Sequence, residues 1–245
     1  MSNSTLIDFV DLSPNNSGLR KNKISRITIH CYVGMVTCAR MGAGFKDPKR
    51  KASCNYGVDK YGNIILIVEE KNRSWCSSSA ANDNKAITIE CASETEPPYT
   101  FNNVTYLKLI DLVTDICRRN DKSKLIWIPD KDKALSYKQN PNEMMITLHK
   151  WFANKACPGE WFINKLPEFV KAVNSRLQPN TPFKVKTKTI LNIRSNAGTN
   201  NKIVGQCPIG IYTIIEIKKG VGAKEWYKLK SGAGWIAANY CDIME

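Results

Sequence analysis

Arg26-Ile27-Thr28-Ile29-His30 decides how the first two-thirds of this chain is read. Its apolar and polar residues alternate, the period of a β-strand with one face turned inward. It also ends on one of only two histidines in the sequence. Outward from it, Ala86-Ile87-Thr88-Ile89-Glu90-Cys91 reads as another strand. Between the two, Lys60-Tyr61-Gly62-Asn63 separates apolar runs and predicts a hairpin turn. Residues 105–119 carry Leu109, Leu112, Val113, Ile116 and Cys117 at helical spacing, with Thr105 as the expected cap. Leu125-Ile126-Trp127-Ile128 predicts a short strand. Residues 160–177 predict a helix docking through Trp161, Phe162, Leu166, Phe169 and Val170, with Pro167 expected to kink it or split it in two. Strands alternating with helices predict an α/β layer fold over residues 1–178.

Two prolines in Gln178-Pro179-Asn180-Thr181-Pro182 interrupt this patterning, so residues 179–183 read as a linker. Beyond them the character changes. Short apolar runs such as Leu191-Asn192-Ile193, Trp226-Tyr227-Lys228-Leu229 and Gly234-Trp235-Ile236 are spaced by Gly and Asn turns. That pattern predicts a small all-β barrel over residues 184–245.

Composition bounds the function. With 42% hydrophobic and 24% charged residues among 245, the chain is globular rather than disordered. No apolar run approaches the roughly 18 residues of a membrane span. The first 19 residues hold two acids and no base, which is unlike an export signal, so synthesis as a soluble cytoplasmic chain is expected. Lys+Arg 36 against Asp+Glu 22 leaves a net charge of +14. Residues 179–245, with ten bases and four acids, are the more basic part per residue. An anionic partner follows: nucleic acid, a membrane surface or a wall polymer. The nine cysteines show no paired spacing, and several sit in apolar stretches, so reduced thiols are expected.

His30 and His149 are the only histidines, and Cys157-Pro158-Gly159 follows His149 by eight residues. A tight turn would return the thiolate to the imidazole. Two nitrogens and one sulfur would then bind zinc and leave a fourth position open, the pattern of a catalytic site. The spacing alone equally fits a capping histidine and a core cysteine.

The run from His30 through the stretch 55–76, NYGVDKYGNIILIVEEKNRSWC, and AITIE to HKWFANKACPG resembles the zinc-dependent N-acetylmuramoyl-L-alanine amidases. That family includes phage endolysins, bacterial autolysins and animal peptidoglycan recognition proteins, and the wording is most like endolysin-type amidases of clostridia and their phages. The resemblance spans roughly residues 20–176. It implies a mixed β-sheet flanked by helices, and one zinc ion held by His30, His149 and Cys157. It implies Glu90 as general base, Lys155 as oxyanion stabiliser, and a groove lined by Trp75 with Asn55 and Tyr56. The sequence departs from the family where Cys54 replaces a tyrosine and Cys76 a histidine. The implied substrate is bacterial peptidoglycan, reached after lysis or release, with anionic wall polymers as further partners and no nucleic acid. A non-catalytic peptidoglycan-binding protein and a cysteine-dependent wall peptidase stand as alternatives.

Leu191-Asn192-Ile193-Arg194-Ser195, Pro208-Ile209-Gly210, Trp226-Tyr227-Lys228-Leu229 and Gly234-Trp235-Ile236 resemble the bacterial SH3-like domain. The resemblance implies wall binding by residues 184–245, with Tyr212, Trp226 and Tyr240 as candidate contacts.

Overall fold

The computed structural model describes residues 2–177 and 181–244, and the chain divides into two compact units, Met1–Gln178 and Pro179–Glu245. Of the expected linker 179–183, residues 179 and 180 lie outside the described residues, and Phe183 already begins a strand.

The larger unit contains β1 (Phe9–Val10), β2 (Asn16–Leu19), β3 (Arg26–Val33), β4 (Tyr56–Val58), β5 (Ile64–Leu66), β6 (Asn72–Ser74), β7 (Ala86–Ser93), β8 (Lys124–Ile126) and β9 (Glu143–Leu148). Its helices are α1 (Cys38–Lys46), α2 (Ala80–Asp83), α3 (Asn103–Arg119), α4 (Lys131–Ser136) and α5 (Glu160–Leu177). Seven strands form one sheet in the order β1-β5-β4-β7-β3-β9-β8, while β2 and β6 pair separately. The β4–β5 hairpin is antiparallel and the other pairings in the large sheet are parallel. A mixed α/β fold results.

The opening stretch lies in the interior of this sheet, with β7 on one side and β9 on the other. Strand alternation sends its residues to two different layers. Ile27 and Ile29 join Leu109, Ile116, Phe162 and Phe169 in a core beneath α3 and α5. Across the sheet, α1 packs Met41 and Phe45 against Ile65 and Ile67. Burying each such side chain contributes roughly 1.5–3 kcal/mol, so helices are held against both faces of the sheet. Strand β9 escapes the alternation rule because all six of its residues are buried. A parallel strand covered on both faces has no solvent side to mark with polar residues.

Two local expectations change. Asn102, not Thr105, caps α3: its side chain accepts from the Thr105 N–H, while the Thr105 hydroxyl donates to the Asp59 carbonyl. Residues 160–177 form one helix with Pro167 inside it, rather than two pieces. The Gly- and Lys-rich segment that follows β3 is not all loop: Cys38–Lys46 is helical and is capped by Thr37. Asn174 of α5 bonds both the N–H and the C=O of Leu125, which occupies polar groups on edge strand β8.

The smaller unit contains β10 (Phe183–Thr187), β11 (Leu191–Arg194), β12 (Ile203–Cys207), β13 (Ile211–Gly220), β14 (Ala223–Leu229), β15 (Trp235–Ala237) and β16 (Cys241–Met244). They form one all-antiparallel sheet in the order β12-β11-β15-β14-β13-β10-β16. Val185, Leu191, Ile193, Ile214, Leu229 and Ile236 make its core.

Candidate metal centre and active-site cleft

Three neighbouring chain segments carry one repeated pattern: Thr28-Ile29-His30, Thr88-Ile89-Glu90 and Thr147-Leu148-His149. Thr28 is in register with both Thr88 and Thr147, and Ile29 with both Ile89 and Leu148. The period of two therefore carries His30, Glu90 and His149 to the same end of the sheet. That end is the carboxyl end of its parallel strands, where open α/β sheets place their ligands. Beneath it the threonines are tied together. Thr28 and Thr147 hydroxyls lie 2.8 Å apart, Asn82 donates to Thr28 at 2.9 Å, and Thr147 donates to Asn82 at 3.1 Å.

The chain leaves β9 through a 3-10 turn, His149–Trp151, and the following loop returns Cys157 to the sheet end. The Lys150 N–H donates to the Cys157 carbonyl at 3.2 Å. Trp151 stacks on Trp127 with centroids 5.5 Å apart, so it braces the loop rather than lining the cleft. Gly159 sits at φ +93°, and a Cβ there would stand 2.5 Å from the Pro98 carbonyl oxygen. Only glycine fits that close approach.

Ligand atoms of His30, His149 and Cys157 all lie within 4.8 Å of one another. Cys157 Sγ is 3.4 Å from His30 Nδ1. Tetrahedral zinc, with bonds near 2.0 Å to nitrogen and 2.3 Å to sulfur, sets an N···S edge of about 3.5 Å. The other ring nitrogen, His30 Nε2, is buried without a protein partner. The donor set and its spacing fit zinc. Burial, followed by the charge of His149, holds the His30 pKa well below its ordinary value. Burial and Lys155 lower that of His149. Both rings are therefore neutral near pH 7, the form that binds metal. Ser78 Oγ lies 3.2 Å from His149 Nε2 and orients the second ring.

A cleft of 490 Å³ opens beside this cluster, with Glu90, His149, Lys155, Trp75, Cys76 and Arg50 in its wall. Glu90 Oε2 is buried without a partner, and Oε1 accepts from the Cys76 thiol at 3.8 Å. Burial pushes the Glu90 pKa up to about 7, opposed by the Arg50 guanidinium. Lys155 is exposed, and the Trp75 indole N–H donates to Ser17 at 2.6 Å. The structure thus brings His30, His149, Cys157, Glu90, Lys155 and Trp75 to one place.

It does not bring Asn55 or Tyr56 there. Asn55 is fully buried, taking hydrogen bonds from Arg20 and the Thr88 N–H and giving one to the Val68 carbonyl. Tyr56 is also fully buried, and its hydroxyl donates to Glu70 at 2.7 Å. Their expected substrate role is corrected to a structural one. Trp226 is corrected likewise, being 2% exposed, whereas Tyr240 is exposed and the half-buried Tyr212 bonds its hydroxyl to the Pro208 carbonyl. Sequence reasoning did not single out Arg50 and Ser78. Neither stands in a recognisable spacing, but the repeated Thr-aliphatic-His/Glu pattern was there to find.

The sequence model of the family described as N-acetylmuramoyl-L-alanine amidase matches residues 20–160. No curated protein matches the chain in sequence. Among solved structures, hydrolase AmiA of Staphylococcus aureus, determined with its ligand, is similar at a TM-score of 0.50 and 10% identity, covering 72% of this chain and 85% of that one. A mutant endolysin from Bacillus subtilis aligns at 0.49 and 16% identity, over 68% of this chain and 99% of that one. An AmpD derivative aligns at 0.47 and 18% identity, over 72% and 96%.

Proposed function

Because the chain belongs to the N-acetylmuramoyl-L-alanine amidase family, we propose that its cleft hydrolyses the amide joining the lactyl group of N-acetylmuramic acid to L-alanine of the peptidoglycan stem. The observation that carries this reading is the convergence of His30, His149 and Cys157 beside a carboxyl group. Those three residues would hold one zinc ion. Zinc there supplies Lewis-acid chemistry, acidifying water to a pKa of about 7 and polarising the amide carbonyl.

The protein's own groups do the rest. Glu90, with its pKa raised to about 7 by burial, accepts a proton from water and returns it to the leaving amine. Lys155 brings a fixed positive charge to the cleft wall, where the oxyanion develops. Trp75 offers an apolar face to the substrate. Cys54 is fully buried and takes no part. A cysteine-peptidase reading is the weaker one. Hydrogen bonding to Cys31, then burial, raises the Cys157 pKa well above its ordinary value, so this thiol would ionise only with the charge of a metal beside it. The neutral imidazoles of His30 and His149 supply none of the positive charge that a nucleophilic cysteine needs.

For the smaller unit we propose an SH3-like barrel that adheres to the wall, with Tyr240 and Tyr212 as its aromatic contacts. Its basic character suits phosphate-bearing wall polymers, and salt would weaken that attraction. The site of action is the wall, after lysis or release. No helix among the described residues is long and apolar enough to cross a membrane.

Digestion of purified cell wall tests the reading directly. New N-terminal alanine without new reducing sugar ends is the expected product. New reducing ends, or cuts within the stem peptide, would overturn it.

A further inference from the structure

The opposite end of the same sheet holds a second pocket, of 640 Å³. Its wall includes Lys23, Arg26, Lys85 and Lys122, against a single acid, Asp121. Among the described residues, none of the four cations forms an ion pair. The nearby Glu143 is already engaged by Lys124, by the Tyr137 hydroxyl and by the Asn140 N–H.

The pocket is built from fixed backbone rather than from loose surface chains. The N–H groups of Ser25 and Arg26 both donate to the Lys85 carbonyl at 2.9 Å, so the start of β3 is clamped to the segment after α2. Gln139 closes another side, donating to the carbonyls of Ser25 and Glu143. Arg26 is half-buried, and its guanidinium is held by a neutral partner, the Asn82 side-chain oxygen, at 3.2 Å. Burial lowers its pKa, with no carboxylate to offset the cost. Burial also lowers that of Lys122, opposed by Cys117 and by the pocket's one acid, Asp121, while Lys23 adds repulsion. Four cations gathered around one acid are stabilised by an anion that supplies the further negative charge.

We propose that this pocket binds phosphodiester groups of a polyol-phosphate cell-wall polymer, so that the catalytic unit carries a wall anchor of its own, remote from the cleft. The guanidinium fork of Arg26 suits phosphate oxygens, and the lysines act as point charges around it. Single-stranded nucleic acid is the poorer fit, because it needs aromatic platforms for its bases. Tyr137 is the one aromatic residue in the pocket wall, and its hydroxyl is committed to Glu143. The choice of a wall polymer rests on the amidase reading above; the anion site does not.

Binding of soluble poly(glycerol phosphate) to the full chain at low salt, measured by calorimetry, tests the proposal. Lys85→Gln/Lys122→Gln should weaken it about tenfold, the loss of two solvent-screened ion pairs. Lys131→Gln/Lys171→Gln removes the same charge from exposed positions outside the pocket and should weaken it less than about twofold. Lys85→Arg/Lys122→Arg should retain binding, which separates lost charge from lost folding. Equal weakening by the two glutamine pairs would mean diffuse attraction and overturn the site. So would loss of duplex DNA binding, with polymer binding intact, in the pocket pair. Binding is read without turnover, so a failed wall digestion leaves this test standing.

Discussion

One face of one strand carries two opposite chemistries. Arg26, Thr28 and His30 follow one another along the same side of β3, and about 13 Å of extended chain separates the first from the last. At the far end, burial keeps two imidazoles neutral, so their lone pairs are free for a cation. At the near end, a guanidinium cannot discard its charge, and burial leaves it seeking an anion. Burial acts on both ends alike. The side chain decides whether it yields a ligand or an unpaired charge. The two ends should therefore be separable by substitution, each variant abolishing one property and sparing the other.

The largest effect is expected at Cys157. Cys157→Ser removes the sulfur donor of the proposed ligand set and should lower zinc content and wall hydrolysis together, by at least about a hundredfold in rate. Polymer binding at the Arg26 end should not change. Metal analysis with a lysis assay checks the first statement; full zinc occupancy with undiminished lysis would remove Cys157 from the ligand set. Glu90→Gln comes next. It keeps the shape of a group that donates no metal bond in the proposed set, so zinc should stay while kcat falls about 10²–10⁴-fold. Loss of zinc in this variant would move Glu90 from proton transfer to metal binding.

Asn82 stands between the two ends, joining Arg26, Thr28 and Thr147. Asn82→Ala strands buried groups and should cost about 1–3 kcal/mol of stability. Zinc content should change less than about threefold, because none of the side chains bonded to Asn82 is in the proposed ligand set. Polymer affinity should fall by more than that, because Arg26 loses the partner that holds it. A joint loss of both in a folded variant would show that they are coupled through this side chain.

Much of this plan was legible in the sequence, for reasons that also explain what was not. The opening stretch alternates because one of its layers is polar; the second strand and the hairpin announce themselves in the same way. His30, His149, Cys157, Glu90, Lys155 and Trp75 could be named because their residue types and spacing resemble a known pattern, and the structure gathers them. Strand β9, which delivers His149, stayed hidden because it is buried on both faces and so has no alternation. Asn55 and Tyr56 misled because adjacency in sequence says nothing about which layer a side chain enters. Arg50 could not be found from spacing at all. It reaches the cleft from a 3-10 turn, with its guanidinium over the Phe45 ring at 4.5 Å, a placement set by tertiary packing.

The smallest effect concerns the scaffold that both ends share. Asp59 is 1% exposed, and it accepts from the N–H groups of Cys38, Tyr61 and Asn63. Burial alone would raise its pKa, but the hydrogen bonds from Asn63, Tyr61 and Cys38 outweigh burial and hold it below the ordinary value. A carboxyl group whose folded pKa is depressed contributes stability above its unfolded value, near 3.9, and loses it as pH falls through the folded value. Asp59→Asn should therefore lower the stability of the larger unit by about 1–2 kcal/mol at pH 7. The gap to the parent should stay constant down to about pH 5 and shrink below about pH 4, where the parent's own carboxylate becomes protonated. Urea unfolding of both proteins across that range reads the gap. A gap that persists undiminished at pH 3 would mean that Asp59 holds the hairpin by shape alone, not by charge, and neither end of β3 should register the change.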